Sequence, residues 1–219
     1  MIIAIDGLAA SGKSTTAKLV AKKLSITYLD TGAMYRAVTL HLLRSKIDFD
    51  NIDKVSSILD DMIIDMYDYK GAKIVKLNDE DISNQIRSTT VTKHVSEVSA
   101  LLFVRKSMVS MQRKIGHNND CVVEGRDIGT IVFPNADYKF YMIANIRMRA
   151  QRRLKEMNQI GISKSLDEVI SDLKIRDYMD SNRDNSPLRK AKDAVEIDTS
   201  KLSIIEQVNK IINHVKIIK

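Results

Sequence analysis

Residues 2–15 have the sequence IIAIDGLAASGKST, and this stretch carries the strongest local signal of the fold. Ile2 to Ile5 is a near-continuous apolar run, which is typical of a strand buried on both faces. Gly7 to Ser14 fits the pattern G-x-x-x-x-G-K-[ST], and residues 14–24 have the apolar spacing of a helix. A strand, a tight loop and a helix in this order predict a phosphate-binding loop.

The residue types in this loop suit the binding of a nucleoside triphosphate. Gly7 and Gly12 permit backbone angles that side chains disfavour, and the successive N–H groups at the helix N-terminus attract an anion. Lys13 supplies a charge to the β- and γ-phosphates, and the Ser14 hydroxyl is placed to ligate Mg²⁺. The predicted ATP-binding residues are Gly7, Leu8, Ala9, Ala10, Ser11, Gly12, Lys13, Ser14 and Thr15. The pattern alone does not separate GTPases, helicases, transporters and small-molecule kinases.

Short apolar strands and amphipathic helices alternate beyond the loop. Strands are predicted at 26–29, 122–123, 138–143 and 194–197, and helices at 32–43, 91–114, 146–157, 166–178 and 203–215. This order predicts an α/β fold with a parallel central sheet, in the three-layer arrangement of P-loop NTPases.

The middle of the chain departs from this alternation. Residues 62–69 and 72–77 are predicted strands on either side of Lys70-Gly71, which suggests a hairpin, and residues 79–81 are a predicted turn. We therefore expect a small antiparallel insertion at about 60–90, with the core formed by about 1–59 and 115–219.

Composition narrows the partner class. The net charge is +7, from 35 Lys and Arg against 28 Asp and Glu, which indicates an anionic partner: nucleic acid, an acidic membrane or a phosphorylated small molecule. Cys121 is the single cysteine, so an intrachain disulfide is excluded, and the four His show no metal-ligand spacing. With no signal peptide and no apolar run long enough to span a bilayer, we expect a cytoplasmic location and no membrane partner.

Arginines recur along the rest of the chain. The sequence has no Asn-Lys-x-Asp motif for reading guanine. The arginines in loop-like or helix-end contexts are Arg36, Arg87, Arg105, Arg126, Arg149, Arg152, Arg153, Arg176 and Arg183. A kinase with two anionic substrates needs many fixed cations, because negative charge is spread over the transferred phosphoryl group.

Five ordered blocks resemble the bacterial cytidylate (CMP) kinase family over residues 2–208. They are Asp6-Gly7 with the P-loop, LDTGAMYR at 29–36, DIS at 81–83 with IR at 86–87, GRDIGTIVFP at 125–134, and Arg176-Asp177 with Asp180, Asn182 and Arg183. The insertion also resembles the small nucleoside-monophosphate-binding domain of that family. The resemblance implies a single kinase domain over 1–219, acting as a monomer without nucleic acid.

The resemblance also implies the reaction: a transferase moves the γ-phosphoryl group of ATP, with Mg²⁺, to CMP and dCMP in pyrimidine nucleotide metabolism. In the family the acceptor phosphate is held by Thr31, Arg36 and Arg126, and the cytosine ring by Ser96, Arg105 and Asp127. Arg176 and Asp180 take the ribose side, and Arg183 approaches the phosphates. The last three residues recur at intervals of four and three, which is one face if they are helical.

A basic cluster at Arg149, Arg152 and Arg153 shares one predicted helix face. Such a cluster could bind nucleic acid, or it could fold onto ATP as a mobile lid that excludes water. We favour a lid at about 147–185. The predicted catalytic cations are then Lys13, Arg126, Arg149, Arg153 and Arg183.

Two departures from the family pattern lie in the P-loop, where similar enzymes usually have Pro at Leu8 and often Gly at Ala10. Two other functions stay open from the sequence. One is a P-loop kinase for another nucleoside monophosphate or a small metabolite, and the other is a non-catalytic, nucleotide-gated nucleic-acid binder.

Overall fold

The computed structural model describes residues 1–69, 72–159 and 161–217, so the predicted hairpin turn at Lys70-Gly71 lies outside the described residues. The strands are β1 (Ile2–Gly7), β2 (Thr27–Asp30), β3 (Ile64–Tyr69), β4 (Ala72–Leu77), β5 (Glu80–Asp81), β6 (Cys121–Gly125), β7 (Tyr138–Ile143) and β8 (Val195–Asp198). The α-helices are α1 (Lys13–Leu24), α2 (Thr31–Arg44), α3 (Ile52–Asp60), α4 (Thr89–Ala100), α5 (Leu102–Asn118), α6 (Ile146–Gln159), α7 (Leu166–Asn182) and α8 (Ile204–Ile217). A 3₁₀ turn covers Gln85–Arg87 and a π-helical turn covers Ile128–Val132.

The central sheet places β1 at its middle. Over the described residues it has five parallel strands in the order β2-β6-β1-β7-β8. The chain fills one side of β1 with β2 and β6 and then crosses to β7 and β8, so the strand order reverses at β1. Parallel sheets bind ligands at the carboxyl ends of the strands beside this reversal. The P-loop follows β1 at that edge, and the predicted α/β class with a parallel central sheet is confirmed.

Alternating residues of the strands give the sheet an apolar face. Ile3 and Ile5 of β1 lie on the same face, as do Phe140 and Met142 of β7, since side chains alternate along a strand. These residues form one buried cluster with residues of α1 and α8, including Val20. This packing fixes β1 and the start of α1, and therefore both ends of the P-loop.

The chain divides into two compact units, with one boundary between β2 and α2 and the other within α5. The first comprises Met1–Asp30 and the described residues from Arg113 onward, and the second comprises Thr31–Gln112. The antiparallel strands β3, β4 and β5 lie in the second unit, which is wider than the expected insertion at about 60–90. The boundaries of the insertion and of the lid stay predictions.

The second unit pairs β3 with β4 so that Met66 lies opposite Val75. Val75 and Leu77 are buried on this small sheet. The unit also packs α2 against α4, where Val91, Val95 and Val98 are buried at helical spacing.

Two local predictions were wrong. The helix expected over 91–114 is two helices, because Leu101 takes an extended conformation with ψ 125° and ends α4. The turn expected at 79–81 is centred one residue earlier, at Asn78 and Asp79 with positive φ, and Glu80 begins a short strand.

Candidate active site

The backbone of the P-loop requires glycine at its first position. Gly7 has φ 150°, and a Cβ there would lie 2.1 Å from the carbonyl oxygen of Met142 on β7. Gly12 caps α1 in the left-handed region with φ 94°. Both conformations are ones that glycine adopts readily, and they direct the loop around the N-terminus of α1.

Ala10 also lies in the left-handed region, with φ 57°. This is one of the two positions at which the sequence departs from the family pattern. An L-residue with a Cβ adopts this region at a cost that glycine avoids. The loop therefore keeps its shape at Ala10 with some backbone strain.

Lys13 is buried at the end of the loop, with 6% of its surface exposed. Its Nζ donates to the carbonyl oxygen of Leu8 over 3.2 Å. Burial, with the nearby charge of Arg126, lowers the pKa of Lys13, while Glu124 opposes this effect. A buried ammonium group with this environment is suited to an anionic ligand, which would restore its charge.

Glu124 is a site residue that the sequence reasoning missed. It lies 3% exposed on β6, where Oε2 accepts a hydrogen bond from Ser14 Oγ over 2.8 Å and Oε1 accepts one from Tyr28 Oη over 2.6 Å. Burial raises the pKa of Glu124, and the carboxylate of Asp30 adds to the rise. A glutamate near the end of an otherwise apolar strand was the available signal, but its proximity to Ser14 depends on the pairing of β6 with β1.

A cluster of charged side chains lies beside Lys13. Arg126 Nε donates to Asp180 Oδ2 over 2.8 Å, and Arg183 Nη2 lies 3.7 Å from Asp127 Oδ1. Burial opposes the ionisation of Asp180, but Arg126 and then Arg176 outweigh it and lower the pKa of this carboxyl. The structure thus brings together five predicted acceptor-site residues from two segments of the first unit.

Arg176 is a member of this cluster with an unused hydrogen-bond donor. Burial, with the charge of Arg126, lowers its pKa to about 10. Its buried Nε makes no hydrogen bond to any residue in the described part of the chain. A buried guanidinium with a donor to spare is suited to a polar or anionic ligand.

The condition for a shared helical face of Arg176, Asp180 and Arg183 is not met at Arg183. The helix α7 ends at Asn182, and Arg183 follows it in an extended conformation with ψ 143°. Its side chain nevertheless reaches Asp127, and its Nε donates to the carbonyl oxygen of Ser186 over 2.7 Å.

The three arginines of the basic cluster on α6 differ in their contacts. Arg149 is buried, and its Nη1 donates to Asp177 Oδ2 over 2.6 Å and to the Ala9 carbonyl oxygen over 3.2 Å. Arg152 donates to the carbonyl oxygens of Ser11 and Thr199.

Arg153 makes its contact on the surface of α6. Its side chain is 31% exposed and pairs with Glu156 over 3.1 Å. Two of the three arginines thus hold the P-loop backbone, a role that the sequence did not reveal.

The remaining P-loop residues frame this arrangement. Ser11 is buried, and its carbonyl oxygen also accepts a hydrogen bond from Thr199 Oγ1 over 2.7 Å. Leu8 is half-buried, whereas Thr15 is exposed on the first turn of α1.

The other predicted acceptor residues lie in the second unit. Thr31 is buried at the start of α2, and Arg36 Nη1 donates to Thr92 Oγ1 over 2.9 Å. Ser96 is half-buried on α4. Arg105 is buried with its guanidinium 5.3 Å from the ring centroid of Tyr35, a cation–π contact that the sequence reasoning missed.

The described residues lack two features that would have pointed to other functions. No group of three or more His, Cys, Asp or Glu side chains is arranged there to hold a metal ion. None of the described helices combines the length and apolar character needed to cross a bilayer.

A P-loop at the strand-order reversal of a parallel sheet, with a buried lysine beside an arginine cluster, defines the class of P-loop kinases. Solved structures support the fold: an uncharacterized protein from Eubacterium ventriosum has a TM-score of 0.55 at 13% identity, and shikimate kinase from Bacteroides thetaiotaomicron has a TM-score of 0.52 at 10% identity. Each similarity covers 99% of this chain and 98% of the other.

Sequence similarity identifies the family within this class. The family profile of cytidylate kinase matches residues 3–217. The chain is 45% identical to the cytidylate kinase of Fusobacterium nucleatum subsp. nucleatum over 219 residues, which is 100% of this chain and 99% of the relative. It is 48% identical to the cytidylate kinase of Halalkalibacterium halodurans over 216 residues, 99% of this chain and 97% of the relative. The chain belongs to the cytidylate kinase family.

Proposed function

We propose that the chain transfers the γ-phosphoryl group of MgATP to CMP and dCMP, forming ADP with CDP or dCDP. The observation that supports this most is the burial of Lys13, within the P-loop, beside Arg126 and Arg176. Two nucleotides bound with their phosphates facing each other would neutralise this concentration of positive charge. Family membership supports the choice of cytidine nucleotides.

The P-loop binds the triphosphate in this proposal. The backbone N–H groups from Ala9 to Thr15 and the N-terminus of α1 surround the β- and γ-phosphates, and Lys13 contacts their oxygens. Arg149 and Arg152 act mainly by holding the loop, since both donate to its carbonyl oxygens.

The residues around Ser14 fit a magnesium ion that is bound together with ATP. Mg²⁺ is usually held by one or two protein oxygens and the substrate phosphates. Ser14 Oγ would ligate the ion, and the Glu124 carboxylate beside it would orient this hydroxyl. When bound, the ion supplies charge neutralisation between the β- and γ-phosphates.

The acceptor is read by the segment that follows β6. Asp127 accepts a hydrogen bond from the cytosine amino group, a group that uracil replaces with an oxygen. Arg126 and Arg183 donate to phosphate oxygens, and Arg176 and Asp180 contact the ribose side. The acceptor phosphate has a second pKa of about 6 and is largely ionised near neutral pH, so transfer needs no general base.

The remaining assignments follow the family resemblance. Thr31 and Arg36 hold the acceptor phosphate, and Ser96 and Arg105 contact the cytosine ring. The segment at about 147–185 acts as a lid. Within it, Arg153 can exchange its surface pairing with Glu156 for a contact with phosphate. We expect the chain to act as a cytoplasmic monomer.

A substrate panel tests this function. ADP release is measured with ATP and Mg²⁺ against CMP, dCMP, UMP, AMP and GMP. We expect the highest kcat/KM for CMP, with dCMP next and UMP lower by at least about tenfold, as one misplaced hydrogen-bond partner costs roughly 1–3 kcal/mol. A preference for another acceptor, or ADP release independent of any acceptor, would contradict the proposal.

A further inference from the structure

Asp6 is a buried carboxylate that the mechanism above does not use. It precedes Gly7 at the end of β1 and is 4% exposed. We propose that Asp6 is a positioning residue that ties the P-loop to the acceptor segment (Arg126–Gly129), so that Arg126 and Asp127 are held at a fixed place relative to the bound triphosphate. This inference rests on the proposed function and assigns it a further residue.

Both oxygens of Asp6 bind the acceptor segment. Oδ1 accepts the N–H of Ile128 and Oδ2 accepts the N–H of Gly129, each over 2.8 Å. These are the first two residues of the π-helical turn, whose N–H groups have no partner within the turn itself. Asp6 therefore caps this turn from a strand that is more than 120 residues away in sequence.

The anchored turn leads directly back to the substrate-reading side chains. The carbonyl oxygen of Asp127 accepts the N–H groups of Ile131 and Val132 over 2.8 and 3.1 Å, which closes the turn. With Asp6 at its start and these bonds inside it, the turn has little freedom. Asp127 and Arg126 immediately precede it, so their backbone position is set by Asp6.

The other end of the connection is equally fixed. Gly7 lies against β7 so closely that a Cβ would meet the Met142 carbonyl oxygen at 2.1 Å, and β1 pairs with strands on both sides. The Asp6 carboxylate cannot shift without moving the start of the P-loop. The Asp6 side chain thus sets the distance between the P-loop and the acceptor segment.

The choice of an acidic side chain supports a positional role. Burial opposes the ionisation of Asp6 more than the two N–H groups favour it, and its pKa is raised to about 7. An asparagine would avoid this cost, but its amide accepts through one oxygen and would direct an NH₂ group at the second N–H. Of the two carboxylate side chains, which can accept both hydrogen bonds, aspartate is the shorter.

Asp6→Asn tests the inference, with Asp137→Asn as the matched control. Asp137 Oδ2 accepts the N–H of Ile2 over 2.6 Å at the opposite end of β1, and it is exposed. The measurements are kcat, KM for CMP and for ATP, the ratio of kcat/KM for CMP over UMP, and the free energy of unfolding in urea.

For Asp6→Asn we expect KM for CMP to rise about tenfold, equivalent to about 1.4 kcal/mol, and the CMP-over-UMP ratio to fall by a similar factor, because the lost hydrogen bond releases the acceptor segment from its fixed position. KM for ATP should change by less than about twofold, since the loop backbone is held independently by Arg149 and Arg152. Asp137→Asn should leave all four kinetic values unchanged.

Two results would overturn the inference: unchanged CMP kinetics in Asp6→Asn with only a lower free energy of unfolding, or equal rises in KM for both substrates. Should Asp6→Asn fail to fold, Asp6→Glu carries the test. Glutamate keeps the negative charge, and its extra methylene displaces the acceptor segment, so KM for CMP should again rise selectively. The wild-type protein distinguishes a failure of the proposed function from a failure of the role assigned to Asp6. If it releases no ADP with CMP, the proposed function fails; if it does and the variants match it, only the role of Asp6 fails.

Discussion

Lys13 combines burial with a position among charges of both signs. Arg126 and Arg176 disfavour its protonated form, and Glu124 and Asp180 favour it. Burial dominates, so the pKa of Lys13 lies below that of a free lysine. The polyphosphate of ATP favours the protonated form and would raise the pKa again.

The first prediction follows from this sign. At about pH 8, ATP binding should be accompanied by net proton uptake at Lys13, and Lys13→Ala should lose this uptake and lower kcat by roughly 10²–10³. Calorimetry of ATP binding in two buffers with different ionisation enthalpies measures the proton uptake of each protein, and their difference isolates Lys13. Equal uptake by the two proteins would show that Lys13 is not the group that changes.

A second residue-scale prediction concerns Ala10. Its left-handed conformation costs an L-residue roughly 1–2 kcal/mol, whereas glycine in the unfolded chain costs about 0.4–1 kcal/mol in entropy. Ala10→Gly should therefore stabilise the protein by up to about 1 kcal/mol, with KM for ATP unchanged or lower.

Urea unfolding measures this change, and Ala9→Gly is the matched control. Ala9 is buried and does not have positive φ. Ala9→Gly should destabilise the protein because the entropy cost then has no compensation. A loss of stability in both variants would contradict the argument from strain.

At the scale of elements, α6 and α7 are joined by a buried ion pair. Arg149 of α6 donates to Asp177 of α7, and the same guanidinium holds Ala9 in the P-loop. Ala150, Val169 and other apolar side chains form a cluster with Ala9 around this pair. The P-loop is thus held in place by both α6 and α7.

Asp177→Asn should weaken this brace. Removing the charge leaves the Arg149 guanidinium buried with a weaker acceptor, so the protein should lose about 1–3 kcal/mol of stability. KM for ATP should rise more than KM for CMP. The measurements are urea unfolding and both KM values.

Asp172→Asn on the same helix is the control. Asp172 pairs with Lys164 over 2.6 Å but is 55% exposed, and surface pairs of this kind contribute roughly 0–1 kcal/mol. If the two variants behave alike, or if Asp177→Asn affects CMP rather than ATP, the brace is not where the structure indicates.

Elements also show how far sequence reasoning reaches. The P-loop was predictable because its strand, loop and helix are contiguous and their residue types are dictated locally. Asp6 and Glu124 were not assigned roles, since their partners are reached only after β1 and β6 pair in the sheet. The four- and three-residue spacing of Arg176, Asp180 and Arg183 gives one face only where all three are helical, and spacing cannot reveal that α7 ends at Asn182.

The break at Leu101 is a similar case. Ala100 and Leu101 are both good helix formers, so local propensity predicted one continuous helix. The structure ends α4 there and begins α5 at Leu102, which shows tertiary context overriding propensity.

At the scale of the whole molecule, part of the positive charge behind the net +7 lies inside the protein. Several arginines are directed into the protein: Arg105 and Arg149 are buried, and Arg126 is bound to the buried Asp180. Cations fixed in this way suit small phosphorylated ligands held at close range better than a nucleic-acid backbone on the surface. The basic balance of the sequence therefore agrees with membership of a nucleotide kinase family.

The central claim is that these fixed cations bring a donor and an acceptor nucleotide together for direct transfer. ATP labelled on its γ-phosphate, incubated with the protein, Mg²⁺ and CMP, tests it most directly. We expect the label to appear in CDP in proportion to the ADP formed, with little inorganic phosphate. Label that appears mainly in inorganic phosphate, or that is released equally without CMP, would contradict it.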